Sequence, residues 1–261
     1  MKLEKKVFLQ GSWHTVVISD EYQALQAAKA AGRAIIGVDG QEGSAGSCMV
    51  TGIPYMIPSF EYATGELAEL VLRRHLGLPW IIDETERLLI RELVREDAKR
   101  IPEEEYGSDE EVFRSEELLS LYIRNQYGFY EYGTWALILK AEDSAEECLI
   151  GLAGVSNPRL LPGMDELLKE MDELLPAGEG KLPWLELGYH IFRPWRRQGY
   201  GAEAVKAVLS YSHEVLSARL CAMIHKNNHA SRRVAEGIGM TAVSGTGTER
   251  FGGHLLYAEH F

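Results

Sequence analysis

Long apolar runs are absent from this 261-residue chain. No stretch approaches the roughly 20 consecutive apolar residues of a membrane-crossing helix, which excludes a helical membrane protein. The opening segment, MKLEKKVFLQGSWH, is charged and has no apolar centre, which argues against a signal peptide. Cysteine is scarce: Cys48, Cys148 and Cys221 are odd in number and far apart. They give no disulfide framework and suit a reducing compartment, so a cytoplasmic protein is expected. No Cys, His or carboxylate group has metal-ligand spacing, and no metal is expected. Positive charge is also short, with 27 Lys and Arg against 39 Asp and Glu, a net charge of −12. That balance argues against nucleic-acid binding. Low-complexity tracts are missing as well, and 46% apolar residues suffice for one large or two small domains.

The acids are concentrated. Residues 103–117 hold eight against one arginine, and residues 163–181 hold six against two lysines. Solvated surface is the default reading of such runs. The sharper reading is a rim that attracts a cationic amine, built from Glu103, Glu104, Glu105, Asp109, Glu110 and Glu111.

Residues 1–82 read as a small α/β unit. His14 to Ser19 and Arg33 to Val38 are strands, with a helix between them that Asp20 caps and Gly32 ends. Ile53 to Ile57 is a third strand and Thr64 to His75 a second helix. Loop 39–52 is long enough to be a ligand lid. Leu78-Pro79-Trp80 is the candidate linker. The phrase AAKAAGRAIIGV resembles a fragment of a haloacid-dehalogenase-like or Rossmann-like domain. The Asp-x-Asp pair and the G-x-G-x-x-G of those folds are missing, so a structural or dimerisation module is expected.

The second domain, 83–261, opens with Glu86 to Arg91 as a strand. Asp97 is a candidate cap for a helix reaching Glu105, and Glu110 to Gln126 reads as another helix. Tyr127, Phe129, Tyr130 and Tyr132 line a pocket or pack against the sheet. Thr134 to Lys140 and Cys148 to Val155 form a strand pair around a polar loop. Residues 159–181 are an insertion with an amphipathic acidic helix, ended by Pro176 and Gly178. It covers a cleft or makes a dimer contact. Arg219 to His225 is a strand, and Asn228 caps the next helix. Thr241 to Ser244 and His254 to Ala258 close the chain as strands.

The stretch from Leu185 to Leu216 organises the rest. Leu185, Leu187, Tyr189 and Ile191 alternate as in a strand, and Pro194 ends it. Arg196-Arg197-Gln198-Gly199-Tyr200-Gly201 follows. Then Val205, Val208, Leu209, Ser212, Val215 and Leu216 fall on one helical face. A glycine-rich loop that feeds a helix N-terminus is an anion site, because the first-turn N–H groups lack intrahelical partners. A Walker loop is excluded by the missing Gly-Lys-Ser/Thr. A dinucleotide fingerprint is excluded by Ala204, where it needs a third glycine. A strand-to-helix turn whose glycines serve geometry alone is the remaining alternative.

Arg-x-x-Gly-x-Gly in this setting resembles the GCN5-related N-acetyltransferases (GNAT family). ETERLLIREL, LELGYHIF and the downstream Asn228, Ser231, Val234, Gly239 and Met240 are similar to the ribosomal-protein-acetyltransferase branch. The resemblance covers residues 84–261. It implies an α/β (α+β) fold with a mixed central sheet flanked by helices, and acetyl-CoA as cosubstrate. It also implies an amine acceptor: a peptide N-terminus, a polyamine, an aminoglycoside or another small amine. By that resemblance the N–H groups from Arg197 through Gln198, Gly199, Tyr200 and Gly201 to Ala202 hold a pyrophosphate, beside Arg196. Main-chain groups of Ile191 and Phe192 meet the pantetheine and the carbonyl, and Asn228 touches the pantetheine arm.

Glu186 is the candidate general base. Its strand face is shared by His190 and Phe192, and partial burial would suit proton removal near neutrality. A structural ion pair is the alternative. The tyrosine that many family members carry seven residues after the asparagine is Ala235 here, leaving Ser231 as the hydroxyl of that motif. His190, His225 and His229 read as ordinary. A homodimer is compatible with the sequence. The rival function is a non-catalytic acyl-CoA-binding or regulatory protein.

Overall fold

The computed structural model describes residues 1–39, 52–105, 111–113, 115–140, 148–173 and 181–259. Most of the lid-like loop, Asp109, Glu110, the polar loop 141–147, Pro176 and Gly178 lie outside the described residues. The chain divides into two compact units, Met1–Trp80 and Ile81–Phe261.

In the first unit, β1 (Lys2–Leu9) and β2 (Ser12–Ser19) form an antiparallel hairpin. Gln10 and Gly11 turn it, with φ of 49° and 77°. Two positive φ values match the right-handed twist of the paired strands. β1 is not legible in the sequence because Lys2, Glu4, Lys5 and Lys6 make it look like loop. It is an edge strand, where charge is tolerated and discourages further pairing.

Helix α1 (Tyr22–Ala30) follows, with Glu21 at its cap and no side-chain cap bond. Asp20 is not the cap: its carboxylate accepts from the Met1 amine. β3 (Ala34–Val38) pairs parallel with β2, and β4 (Met56–Ile57) parallel with β3. In α2 (Gly65–His75) Thr64 is the cap, its hydroxyl accepting from Leu67 N–H at 3.0 Å. Val17 and Ile35 pack against Leu25 and Ala28 of α1, while Val16, Ile18 and Ile36 pack against Ala68, Val71 and Leu72 of α2. Burial on both faces explains the unbroken apolar runs of β2 and β3.

The second unit is one mixed sheet. Its strands are β5 (Ile81–Glu84), β6 (Leu88–Glu92), β7 (Thr134–Leu139), β8 (Cys148–Ser156), β9 (Trp184–Ile191), β10 (Arg219–His225), β11 (Met240–Ala242) and β12 (His254–Glu259). They lie in the order β5-β6-β7-β8-β9-β10-β12-β11. Among the described residues of this sheet only the β9–β10 pair is parallel. Around it sit α3 (Glu116–Tyr122), the single turn α4 (Gly128–Tyr130), α5 (Met164–Glu173), α6 (Tyr200–Glu214) and α7 (His229–Gly237). This is the expected mixed sheet flanked by helices. β5 is not foreseen. It pairs with β6 and puts the boundary after Trp80.

Strand alternation sorts the two faces. Leu88, Ile90, Trp135, Leu137, Leu185, Leu187 and Ile191 join Ala204, Val205 and Val208 of α6 in one core. Ala136, Ile138, Leu149, Leu152 and Phe192 join Phe113 and Leu119 on the opposite face. There α5 also packs, through Met164 and Leu168 against Cys221, Leu256 and Ala258. Val215 is 57% exposed, so the apolar face of α6 ends before it.

The expected helix from Asp97 is instead two short 3₁₀ turns, Arg95–Lys99 and Glu103–Glu105. Asp97 is fully buried, bound by Arg91 at 2.8 and 3.0 Å and by Val94 N–H. Tyr127 is core, its hydroxyl donating to the Thr134 carbonyl and accepting from Leu93 N–H, whereas Phe129 is exposed.

Candidate active site

β9 and β10 pair over three residues only: Trp184, Leu185 and Glu186 opposite Arg219, Leu220 and Cys221. Beyond Glu186 they diverge. β8 stays paired with the other edge of β9 as far as Ile191. Phe192 N–H continues that ladder, donating to the Ile150 carbonyl at 2.9 Å. Alternation therefore turns the N–H groups of Tyr189 and Ile191 toward the open side. The opening is a cleft of 310 Å³ that includes Glu186, Tyr189, His225, Asn228, Ser231 and His254 in its walls. A larger cleft of 780 Å³ begins at the start of α6 and shares Tyr189, Asn228, Ser231 and Val234 with the first.

The wall at the start of α6 is main chain. Arg197 has φ 63° and Gly199 φ 88°, so the loop turns sharply into the helix. Among the described residues no group accepts a hydrogen bond from the N–H groups of 197–202. Those of 200–202 are the free donors of a helix N-terminus, and those of 197–199 belong to the loop that leads into it. A Cβ on Gly201 would stand 3.0 Å from the Tyr189 ring and fill the space over it. Arg197, Gly199, Tyr200, Gly201 and Ala202 line the cleft, with Lys206 and Arg233 adding positive charge. Gln198 faces away, its side chain donating to the Pro194 carbonyl at 3.0 Å.

Arg87, at the turn before β6, braces this loop. It donates to the Gln198 carbonyl at 3.0 Å and to Glu203 at 2.7 Å, and lies 4.3 Å from the Tyr200 ring centre. Glu203 also accepts from Thr85 at 2.6 Å and from Arg87 N–H at 2.9 Å. Burial raises the Glu203 carboxyl, but these donors outweigh it and hold it below the usual range.

Two expected ligand contacts have partners within the protein, although Arg196 also lines the larger cleft. The Phe192 N–H is in the β8 ladder and its side chain is buried, so it does not open to a ligand. Arg196 donates to the Ile191 carbonyl at 2.7 Å and to Glu105 at 2.8 Å. Glu105, with 2% of its side chain exposed, accepts in addition from Arg193 N–H at 2.6 Å and bonds His190 at 2.8 Å. It is thus no part of an acidic rim. Glu116 is likewise paired with Arg95 and Lys99, and Asp172 with Arg219.

Glu186 lies on the sheet face opposite Leu185 and Leu187, and Arg159 N–H donates to it at 2.8 Å. Cys221 beside it is inert, since burial first and the Glu186 charge second push its thiol up to about 12. Asn228 caps α7 by accepting from Ser231 N–H at 3.1 Å. The Tyr189 hydroxyl donates to Ser231 Oγ at 3.3 Å. His225 packs edge-on against His254, and His229 is exposed at the start of α7. Tyr189, Arg87 and Glu105 escape a sequence reading because their partners lie 42, 116 and 85–91 positions away. Among the described residues no cluster of three metal-ligating side chains occurs, and no helix is long and apolar enough to cross a membrane.

No curated protein matches the chain. Solved structures resemble the fold. A Bordetella pertussis protein described as a putative GnaT-family acetyltransferase shares 21% identity at a TM-score of 0.48, over 68% of this chain and 98% of that one. Ribosomal-protein-S5-alanine acetyltransferase of Vibrio fischeri shares 15% at 0.46, over 70% and 96%. Mycobacterium smegmatis RimJ, in complex with CoA-disulfide, shares 16% at 0.45, over 69% and 88%. The family model for the acetyltransferase (GNAT) domain matches residues 87–241, more than half of the chain. Those residues span β6 to β11 and contain the forked strands and the donor-rich loop. The chain therefore belongs to the GNAT acetyltransferases, enzymes that take their acetyl group from acetyl-CoA.

Proposed function

We propose that the acceptor is a primary amine and that the two joined clefts divide the work. The observation that carries this is their continuity: the free N–H groups of 197–202 open one end, and Glu186 stands at the other. The N–H groups of Arg197 to Ala202 hold the pyrophosphate, with the helix dipole and Arg197 favouring its charge. Asn228 and the outward N–H groups of Tyr189 and Ile191 flank the pantetheine. One of these N–H groups polarises the thioester carbonyl, as a fixed donor does without reorganising. Glu186 takes the proton from the amine. Arg159 N–H fixes one of its oxygens, and the residue lines the smaller cleft.

Amine attack forms a C–N bond, and collapse of the tetrahedral adduct breaks the C–S bond. The clefts hold the partners in place, which supplies much of the rate. The test is release of free CoA thiol with a panel of amines: a dipeptide, spermidine and a small aromatic amine. Turnover is expected with at least one. Glu186→Gln should lower kcat about 100-fold while leaving acetyl-CoA affinity unchanged. No release with any amine would overturn the reading, and an unchanged kcat would remove Glu186 as the base.

A further inference from the structure

We propose that Tyr189 is the general acid that protonates the departing CoA thiolate, held in position by Ser231. The inference rests on the acetyl-transfer reading above and names a residue that neither the sequence motif nor the family match assigns.

Tyr189 stands where the two clefts meet, among the four residues that line both. A pantetheine that starts at the N–H groups of 197–202 and enters the fork must pass this junction. The Tyr189 ring lies directly under Gly201, where a Cβ would come within 3.0 Å. The ring is thus fixed at the loop end, and its hydroxyl points on toward Ser231 at 3.3 Å.

The faces of β9 support the assignment. Tyr189 belongs to the face that carries Leu185, Leu187 and Ile191 and packs on the α6 core. Glu186 belongs to the other face, three residues away. A base on one face and an acid on the other flank the reacting carbon from opposite sides. An amine that enters past Glu186 then leaves the sulfur on the Tyr189 side, which is the geometry collapse requires.

The chemistry fits the phenol better than its neighbours. An ordinary tyrosine has a pKa of about 10 and a thiol about 8.5, close enough for proton transfer in the transition state. A serine hydroxyl is a far weaker acid. Burial raises the Tyr189 phenol, so it stays protonated at neutral pH, and the Ser231 bond opposes that rise. Ser231 can rotate to donate to the phenolate once the proton has left. The step balances: the C–S electron pair goes to sulfur, sulfur takes the phenol proton, and Glu186 takes the amine proton. Solvent returns one proton to Tyr189 and removes one from Glu186.

The test compares wild type with Tyr189→Phe, which keeps the ring under Gly201, and with Ser231→Ala and the double variant. CoA thiol release is followed with an amine acceptor and, separately, with water as the slow acceptor. Acetyl-CoA affinity is measured by calorimetry on each variant. Tyr189→Phe should lower kcat about 100-fold in both reactions, with the affinity within twofold. The double variant should be no slower than Tyr189→Phe, because two residues that act as one unit do not add. If the wild type shows only the water reaction and Tyr189→Phe still lowers it, the amine reading fails and this inference stands. A kcat within threefold of wild type overturns it. A weakened affinity with an unchanged kcat also overturns it, making Tyr189 a wall of the cofactor cleft.

Discussion

Glu105 fastens the segment before β7 to the end of β9 and to the loop behind it, and Glu105→Gln measures that fastening. Glutamine keeps one oxygen, which continues to accept from Arg193 N–H, now bonded at 2.6 Å. Its amide nitrogen then faces His190 and Arg196, both at 2.8 Å from the present carboxylate oxygen. Each bond to a charged group contributes about 1.5–3 kcal/mol. The losses are partly offset by water, because His190 and Arg196 are 39% and 45% exposed. The expected loss is therefore near the lower limit of the two bonds together, about 2–3 kcal/mol.

For a unit of this size each kcal/mol moves the melting midpoint by about 2–4 °C, so a fall of about 4–12 °C is expected at pH 7. The pH dependence has a definite sign. Burial raises the Glu105 carboxyl, but Arg193 N–H, His190 and Arg196 outweigh it and the net shift is downward. A lowered folded-state pKa gives stability that is present above the unfolded value, near 4.5, and lost as pH falls through the folded one. Thermal melting by circular dichroism should show the gap between wild type and variant at pH 7 and its narrowing below pH 4.5. An equal gap at pH 7 and pH 3.5, or none at pH 7, would refute the reasoning.

Gly154→Ala should prevent stable folding or lower the midpoint steeply, since a Cβ there would meet the Gly133 carbonyl oxygen at 2.0 Å; a differential scan reads it. Arg87→Met should weaken acetyl-CoA binding roughly tenfold by calorimetry, because two of the brace's bonds to 198–203 are lost while the packing on Tyr200 is largely kept. Iodoacetamide at pH 8 should label the partly exposed Cys148 and leave the peptide carrying Cys221 unmodified, as its thiol is buried and pushed up to about 12.

The central strand, the loop and the two helices after it were legible because each is specified locally. Alternation marks β9, glycines mark the turn, and Asn228 caps α7 through a side chain three positions from its partner. β10 runs over the expected residues, Arg219 to His225. What local pattern could not give is who satisfies whom. Asp97 has the composition of a cap, yet it is buried against Arg91. Asp20 has the composition of a cap as well, and pairs instead with Met1. Glu105 belongs to an acidic run in the sequence, although its neighbours in space are His190, Arg193 and Arg196. Charged edge strands such as β1 and the four-residue β5 carry too little apolar signal to be seen alone.

The insertion before β9 has a mechanical consequence. Asp172 of α5 accepts from the Trp184 indole at 2.9 Å and from Arg219 at 2.6 Å, which are the first partners of the β9–β10 overlap. Arg159 N–H, just before α5, holds Glu186, the last residue of that overlap on β9. The insertion thus splints the handle of a two-pronged fork at both ends. With so short a handle, the angle between the prongs depends on these outside bonds as well as on the β8 and β12 ladders that hold each prong. Changes in this splint can retune the gape of the fork, and with it the size of acceptor admitted, while every residue that touches the acyl donor stays the same.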